Sequence, residues 1–245
     1  MADFDEQWKK VMGSEYFEKN QGQFDFSETR VEEFRNLTGV SKNGLKDKIC
    51  LDAGCGPGRW TYAMQKLGAD KVDSFDVSFE AVSKCNVINQ NAFQKDIFEL
   101  EPNPIYDLVV SWGVLHHTKN TRDAFSKVVS QVKDGGMLHV MIYDKKFDGD
   151  YDGYRGDGCV EKHKEWENLS FEEKIQVCKD KVEKVGGDVH GWFDAFNPEY
   201  NWSFSPDEIK KWFEEEGFGK IKLRVKSHFN SIPTSQVNMN GIKLG

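Results

Sequence analysis

Leu51-Asp52-Ala53-Gly54-Cys55-Gly56-Pro57-Gly58-Arg59-Trp60 is the stretch whose reading decides the fold. An apolar run, Lys48-Ile49-Cys50-Leu51-Asp52-Ala53, leads into it and an amphipathic segment running to Leu67 leads out, so the glycines fill a turn between a strand and a helix. Glycine lets such a turn close tightly and lets the backbone approach a ligand, while the free N–H groups at the helix start attract negative charge. A dinucleotide fingerprint, G-x-G-x-x-G, needs a third glycine where this chain carries Arg59, which argues against a nicotinamide or flavin.

Working outward, short apolar runs alternate with amphipathic segments, the pattern of parallel strands joined by crossover helices. The further strands expected are Lys71 to Val77, a weak one near Ala92 to Asp96, Tyr106 to Trp112 and Met137 to Tyr143. Between the last two, Ala124, Phe125, Val128, Val129 and Val132 recur at helical spacing, and Asp134-Gly135-Gly136 is expected to end that helix. Upstream, Glu28 to Leu37 reads as a short helix. With the aromatic residues Trp8, Tyr16, Phe17, Phe24 and Phe26 it forms a helical cap over residues 1–44.

Downstream of the core (45–143), residues 144–204 read as an inserted lid. A polar, glycine-rich loop opens it. Ser170 and Glu173 then form a capping box that starts a helix with Phe171, Ile175, Cys178, Val182 and Val185 as its apolar stripe. The aromatic segment from Gly191 to Phe204 reads as irregular. A second capping box, Ser205 with Glu208 and Pro206 between them, starts the last helix, and residues 205–245 close with an antiparallel hairpin. The expectation is one α/β domain: a Rossmann-like three-layer sandwich on a mostly parallel seven-stranded sheet.

Composition narrows the function. The 245 residues carry 33 Lys and Arg against 41 Asp and Glu, a formal charge of -8, so nucleic acid is an unfavoured partner. No run approaches the roughly 18 apolar residues of a membrane span, and the acidic, aromatic N-terminus lacks the build of a signal peptide, so a cytoplasmic location is expected. Five scattered cysteines (Cys50, Cys55, Cys85, Cys159, Cys178) without a C-x-x-C pair read as reduced and mostly buried. Asp148 to Gly153 starts like a calcium loop, but Cys159 stands where a bidentate Glu is needed and a strand precedes it, so no metal is assigned.

Asp52 at the end of the first strand, followed by G-x-G-x-G, resembles motif I of class I S-adenosylmethionine-dependent methyltransferases. Further landmarks follow in order: Asp76 at the end of the second strand, Asp96 after the third, the fourth strand with its Ser111-Trp112-Gly113-Val114-Leu115-His116-His117 loop, and the fifth strand. The resemblance implies that Asp52, Gly54, Cys55, Gly56, Gly58 and Trp60 surround S-adenosylmethionine, and afterwards its product S-adenosylhomocysteine. It further implies that Asp76, with Val77, accepts the ribose hydroxyls. Asp96 and Ile97 meet the adenine, and Ser111, Trp112 and Gly113 meet the methionine part. Beyond the cofactor half the chain is similar to small-molecule and glycan-associated methyltransferases, which leaves the acceptor open.

Methyl transfer from a sulfonium is an in-line displacement in which alignment supplies much of the rate. His117, and less so His116, is the expected base, because imidazole can take a proton from an acceptor hydroxyl or amine near neutral pH. Arg30, Trp192, Asp194, Asn197 and Tyr200, with Phe26 and Trp202, are candidates to contact the acceptor, and Arg30 is a candidate for the cofactor carboxylate. The expected reaction is methylation of oxygen or nitrogen on a small molecule or glycan precursor by a monomer or homodimer. Quinone carbon methylation, tRNA wobble-uridine methylation and a non-catalytic cofactor-binding module are the alternatives.

Overall fold

The computed structural model describes residues 4, 7–11, 26–224 and 236–245. Seven strands form one sheet: β1 (Ile49–Ala53), β2 (Lys71–Asp76), β3 (Ala92–Gln94), β4 (Tyr106–Trp112), β5 (Val132–Tyr143), β6 (Phe218–Arg224) and β7 (Gln236–Lys243). Their order is β3-β2-β1-β4-β5-β7-β6, with β1 to β5 parallel and β7 antiparallel to both β5 and β6. The expected sheet and terminal hairpin are present. Of the cap aromatics, Tyr16, Phe17 and Phe24 lie outside the described residues.

Period-two alternation sorts the apolar strands onto two faces. Cys50, Val72, Leu108 and Val110 pack with Val31, Phe34 and Leu37 of α1 (Glu28–Thr38) and with Trp60, Ala63 and Met64 of α2 (Arg59–Lys66). Leu51, Ala53, Phe75, Val109, Leu138 and Val140 face the opposite way. There they meet Ala124, Phe125 and Val128 of α4 (Thr121–Val129) and Ile209 and Phe213 of α8 (Pro206–Glu215). The short α3 (Phe79–Cys85) follows β2, with Ser78 as its cap.

Two boundaries differ from the sequence reading. Val132 does not continue α4: that helix stops at Val129, and β5 already begins at Val132, opposite Tyr106. Asp134-Gly135-Gly136 therefore lies inside the strand, where Gly135 takes a φ of 74° at an irregularity in the β4–β5 register. The aromatic segment expected to be irregular contains a helix, α7 (Val189–Phe196), whose N-terminus is capped by the Asp188 side chain on Gly191 N–H.

The insert has its own apolar cluster. Trp166 of α5 (Cys159–Glu167), Ile175 and Cys178 of α6 (Phe171–Val185), and Phe193 and Phe196 of α7 pack around Tyr154. Both predicted capping boxes form. The α6 stripe, however, ends differently: Val185 is exposed, and Lys181 is buried in its place, its ammonium paired with Asp152 at 2.8 Å and set over the Trp192 ring. All five cysteines are free and buried. No helix among the described residues is long and apolar enough to cross a membrane.

Candidate active site

At the carboxyl ends of β1, β2, β4 and β5 lies a cavity of about 1110 Å³, roofed by the insert and by Phe4 and Trp8. That is where open α/β sheets place their ligands. The glycine turn forms its floor. Gly54 and Cys55 donate their N–H groups to Phe75 O at 2.8 and 2.9 Å, and Gly56 donates to Asp76 Oδ2 at 2.9 Å. Gly54 sits at φ 82°, and any Cβ there would press into Val114 Cγ2 at 2.2 Å, so this position admits no side chain. At Gly56 a Cβ would fill the gap under the Trp8 ring, at 3.4 Å.

Asp76 accepts Gly56 N–H on one oxygen and Ser78 N–H on the other, both at 2.9 Å, while its carboxylate stays on the cavity wall. An ionised carboxylate offers about four acceptor sites, so it can take more hydrogen bonds than these two. Asp96 likewise caps the turn after β3, accepting Phe98 N–H at 2.9 Å, and faces the cavity beside Ile97. Gly54, Cys55, Gly56, Trp60, Val77, Trp112 and Gly113 also line it. An adenosine and a methionine chain fit this set: two acceptors a strand apart, a backbone floor and flat aromatic area at Trp60 and Trp112, whose rings lie 4.9 Å apart.

Three residues expected at the cofactor lie behind the wall instead. Gly58 caps α2 at φ 98°, against Cys85. Ser111, fully buried, donates to Ala53 O at 3.1 Å and ties β4 to β1. Asp52 accepts Thr61 Oγ1 at 2.6 Å within a buried chain through Ser74 to Asn89. Each is spent on the turn itself, and the sequence does not separate holding the turn from touching the ligand.

Burial pushes the Asp52 carboxyl from 3.8 up to about 6, Thr61 opposing. A group raised in the folded state contributes stability that is complete below its unfolded value and lost as pH rises through about 6. Ionised at pH 7.5, Asp52 therefore weakens the fold by something on the order of 3 kcal/mol. Asp52→Asn, whose amide oxygen still accepts from Thr61, is expected to be more stable than wild type at pH 7.5 and no more stable at pH 4. Denaturant unfolding of both at the two pH values tests this, and an equal difference at each would refute it.

The two histidines differ in their access to the cavity. His117, in the 3-10 turn Leu115–His117, is on the cavity wall. Its Nδ1 lies 3.2 Å from Tyr200 O, and its Nε2 is buried with no partner among the described residues. A carbonyl can only accept, so Nδ1 carries the proton and Nε2 keeps its lone pair. Burial lowers the His117 pKa, with the Asp194 charge and the Tyr200 carbonyl opposing. His116 is fully buried behind it, its ring 4.1 Å from that of His117 and 3.9 Å from that of Tyr143, and burial holds it well below the usual imidazole range. It is off the wall and supports the loop.

Of the expected acceptor contacts, Arg30, Trp192, Asp194 and Tyr200 line the cavity, Arg30 being ion-paired with Glu33. Asn197 does not: its Oδ1 accepts Trp166 Nε1 at 3.1 Å inside the insert's own core. Phe26 and Trp202 are also off the wall. Phe26 packs on Tyr62, and Trp202 fastens the insert to the histidine loop through His116 O at 2.9 Å and Thr118 O at 3.0 Å. Arg59 and Arg155 line the cavity and were not anticipated there. Burial draws the Arg59 guanidinium down to about 10, Glu33 opposing. A lone arginine in a polar loop carries no periodic signal.

The family profile for the methyltransferase domain matches residues 15–223. The chain belongs to that family. It is a class I methyltransferase, the class that draws its methyl group from S-adenosylmethionine. Among solved structures, the magnesium protoporphyrin IX methyltransferase from Synechocystis PCC 6803, crystallised with S-adenosylmethionine, superposes with a TM-score of 0.56. It is 13% identical, over 97% of this methyltransferase and 90% of that chain.

Among curated relatives, the tRNA U34 carboxymethyltransferase of Mannheimia succiniciproducens is 35% identical over 102 residues, 38% of this chain and 32% of its own length. The one from Glaesserella parasuis is 30% identical over 152 residues, 58% of this chain and 46% of its own length. This methyltransferase thus spans less than half the length of these relatives.

Proposed function

We propose that this methyltransferase moves the methyl group of S-adenosylmethionine onto an oxygen or nitrogen atom of a small molecule or glycan precursor. The observation that carries the reading is the roofed cavity of about 1110 Å³. Pockets for one small ligand run to roughly 300–1,000 Å³, so this one has room for a donor and a compact acceptor under the same roof. The cofactor, when bound, supplies a methyl carbon already activated on a sulfonium.

The chain's own residues then bind the donor and take up the proton. Asp76 and Asp96 would hold the ribose and adenine through their carboxylates, and the Gly54–Gly56 backbone would meet the methionine part. Arg30 or Arg59 faces the methionine carboxylate. His117 Nε2 takes the proton that the acceptor O–H or N–H releases as it attacks, and the buried loop keeps water from competing.

A second reading is transfer to tRNA, supported by the names of the curated relatives. The formal charge of -8 and the roofed site weigh against it.

Calorimetric titration with S-adenosylmethionine and S-adenosylhomocysteine, NADH serving as control, is expected to give micromolar binding to the first two alone. Labelled donor added to cell extract is then expected to mark products that survive ribonuclease and pass a small-molecule filter. Label confined to RNA would replace this reading with the second.

A further inference from the structure

Arg155 opens the insert on a turn set between Gly153 and Gly156, both in the left-handed region. Asn201, almost wholly buried, clamps that turn from both sides: its Nδ2 donates to Tyr154 O at 2.8 Å and its carbonyl accepts Gly156 N–H at 3.0 Å. The guanidinium is thereby placed between two phenol rings, its carbon 3.5 Å from the centre of Tyr143 and 3.4 Å from that of Tyr151. Only 4% of Arg155 is exposed, yet it lines the cavity.

Among the described residues its Nε and Nη1 have no hydrogen-bond partner, and no carboxylate forms a salt bridge with it, the charge of Asp148 reaching it only at a distance. An arginine keeps its charge in a protein, and a buried cation with unused donors calls for an anion. Because the rings cover both faces of the guanidinium, that anion must approach in its plane, the geometry that suits carboxylate.

Position says which molecule brings it. The Tyr143 ring stands between Arg155 and the candidate base, with the His117 imidazole edge-on to it at 5.4 Å. The guanidinium is therefore at the β5 end of the site, across one phenol ring from the base, while Arg59 starts α2 directly after the glycine turn that follows β1. The neighbourhood also sets the charge. Asp150, Asp152 and Asp194 share the wall, and Lys181 offsets Asp152. A singly charged group is tolerated there better than a dianionic phosphate.

We propose that Arg155 binds a carboxylate on the methyl acceptor, so that the substrate is a small carboxylic acid whose nucleophilic oxygen or nitrogen reaches His117. The proposal rests on the preceding reading of the site. Arg155 acts as a specificity residue: its grip fixes how far from the carboxylate the methylated atom lies.

The test titrates the intact protein, with and without saturating S-adenosylhomocysteine, with benzoate, benzamide and inorganic phosphate as probes. Benzoate is expected to bind about tenfold or more tighter than its neutral isostere, one charge-assisted contact's difference, and tighter than phosphate. Arg155→Met is expected to lose the preference with S-adenosylhomocysteine affinity unchanged. Arg155→Lys, which keeps the charge and spares the fold, is expected to lose most of it.

Equal binding of benzoate and benzamide, a preference for phosphate, or an undiminished preference in Arg155→Met would overturn the proposal. So would a fall in S-adenosylhomocysteine affinity in either variant, which would hand the guanidinium to the donor's own carboxylate. If wild type fails to bind S-adenosylhomocysteine, the donor reading falls, and the titration without it still decides the carboxylate preference.

Discussion

Replacing His117 by Gln is expected to slow turnover by about 10²–10⁴-fold, the range for loss of a positioned general base, with donor affinity unchanged. The size follows from the ring's setting. Tyr200 O fixes the Nδ1–H tautomer, so the unpartnered Nε2 is a lone pair held ready on the cavity wall. Burial lowers the pKa, which keeps the imidazole neutral and able to accept a proton at pH 7. The sign of the pH effect follows: wild-type rate is flat near neutrality and falls only on acidification below the ordinary imidazole value of about 6.5. His117→Gln loses that acidic limb. His116→Phe, which can keep the ring contact with Tyr143, retains it. An intact rate and pH profile in His117→Gln would remove the base assignment.

The strands and the glycine turn were legible because their signals are local. Apolar runs of strand length between capped helices admit few arrangements, and G-x-G-x-G after Asp52 places a turn whatever it binds. Capping boxes at Ser170 and Ser205 were legible for the same reason, each being a contact across three residues. What the sequence hid was direction. Asp52, Asp76 and Asp96 look alike along the chain, yet Asp52 turns inward to Thr61 while the other two reach the cavity.

The neighbours His116 and His117 share one 3-10 turn and their rings touch at 4.1 Å, yet only His117 reaches the cavity wall. Arg155 was hidden because its partners, Tyr143 on β5, Tyr151 before it and Asn201 after α7, meet only once the insert folds back over the sheet. The α7 helix was obscured by its glycine and aromatic content, and tertiary burial of Phe193 and Phe196 overrides that weak propensity.

The second large effect concerns Asp76. Its carboxylate joins the glycine turn to the start of α3, one oxygen on Gly56 N–H and the other on Ser78 N–H, and it lines the cavity where the proposed reading puts the ribose. Asp76→Ala removes all of this at once. It is expected to weaken binding of S-adenosylmethionine by about 10- to 100-fold, the worth of one charge-assisted contact.

Asp76→Asn separates the parts. Its amide nitrogen cannot accept, so one of the two N–H groups meets another donor, and affinity is expected to fall as far as in Ala despite the near-identical shape. Asp96→Asn should cost less, because the amide oxygen can still cap Phe98. Calorimetry on the three variants gives the ordering. Wild-type affinity in Asp76→Ala would mean that the turn holds without its carboxylate and that the ribose is bound elsewhere.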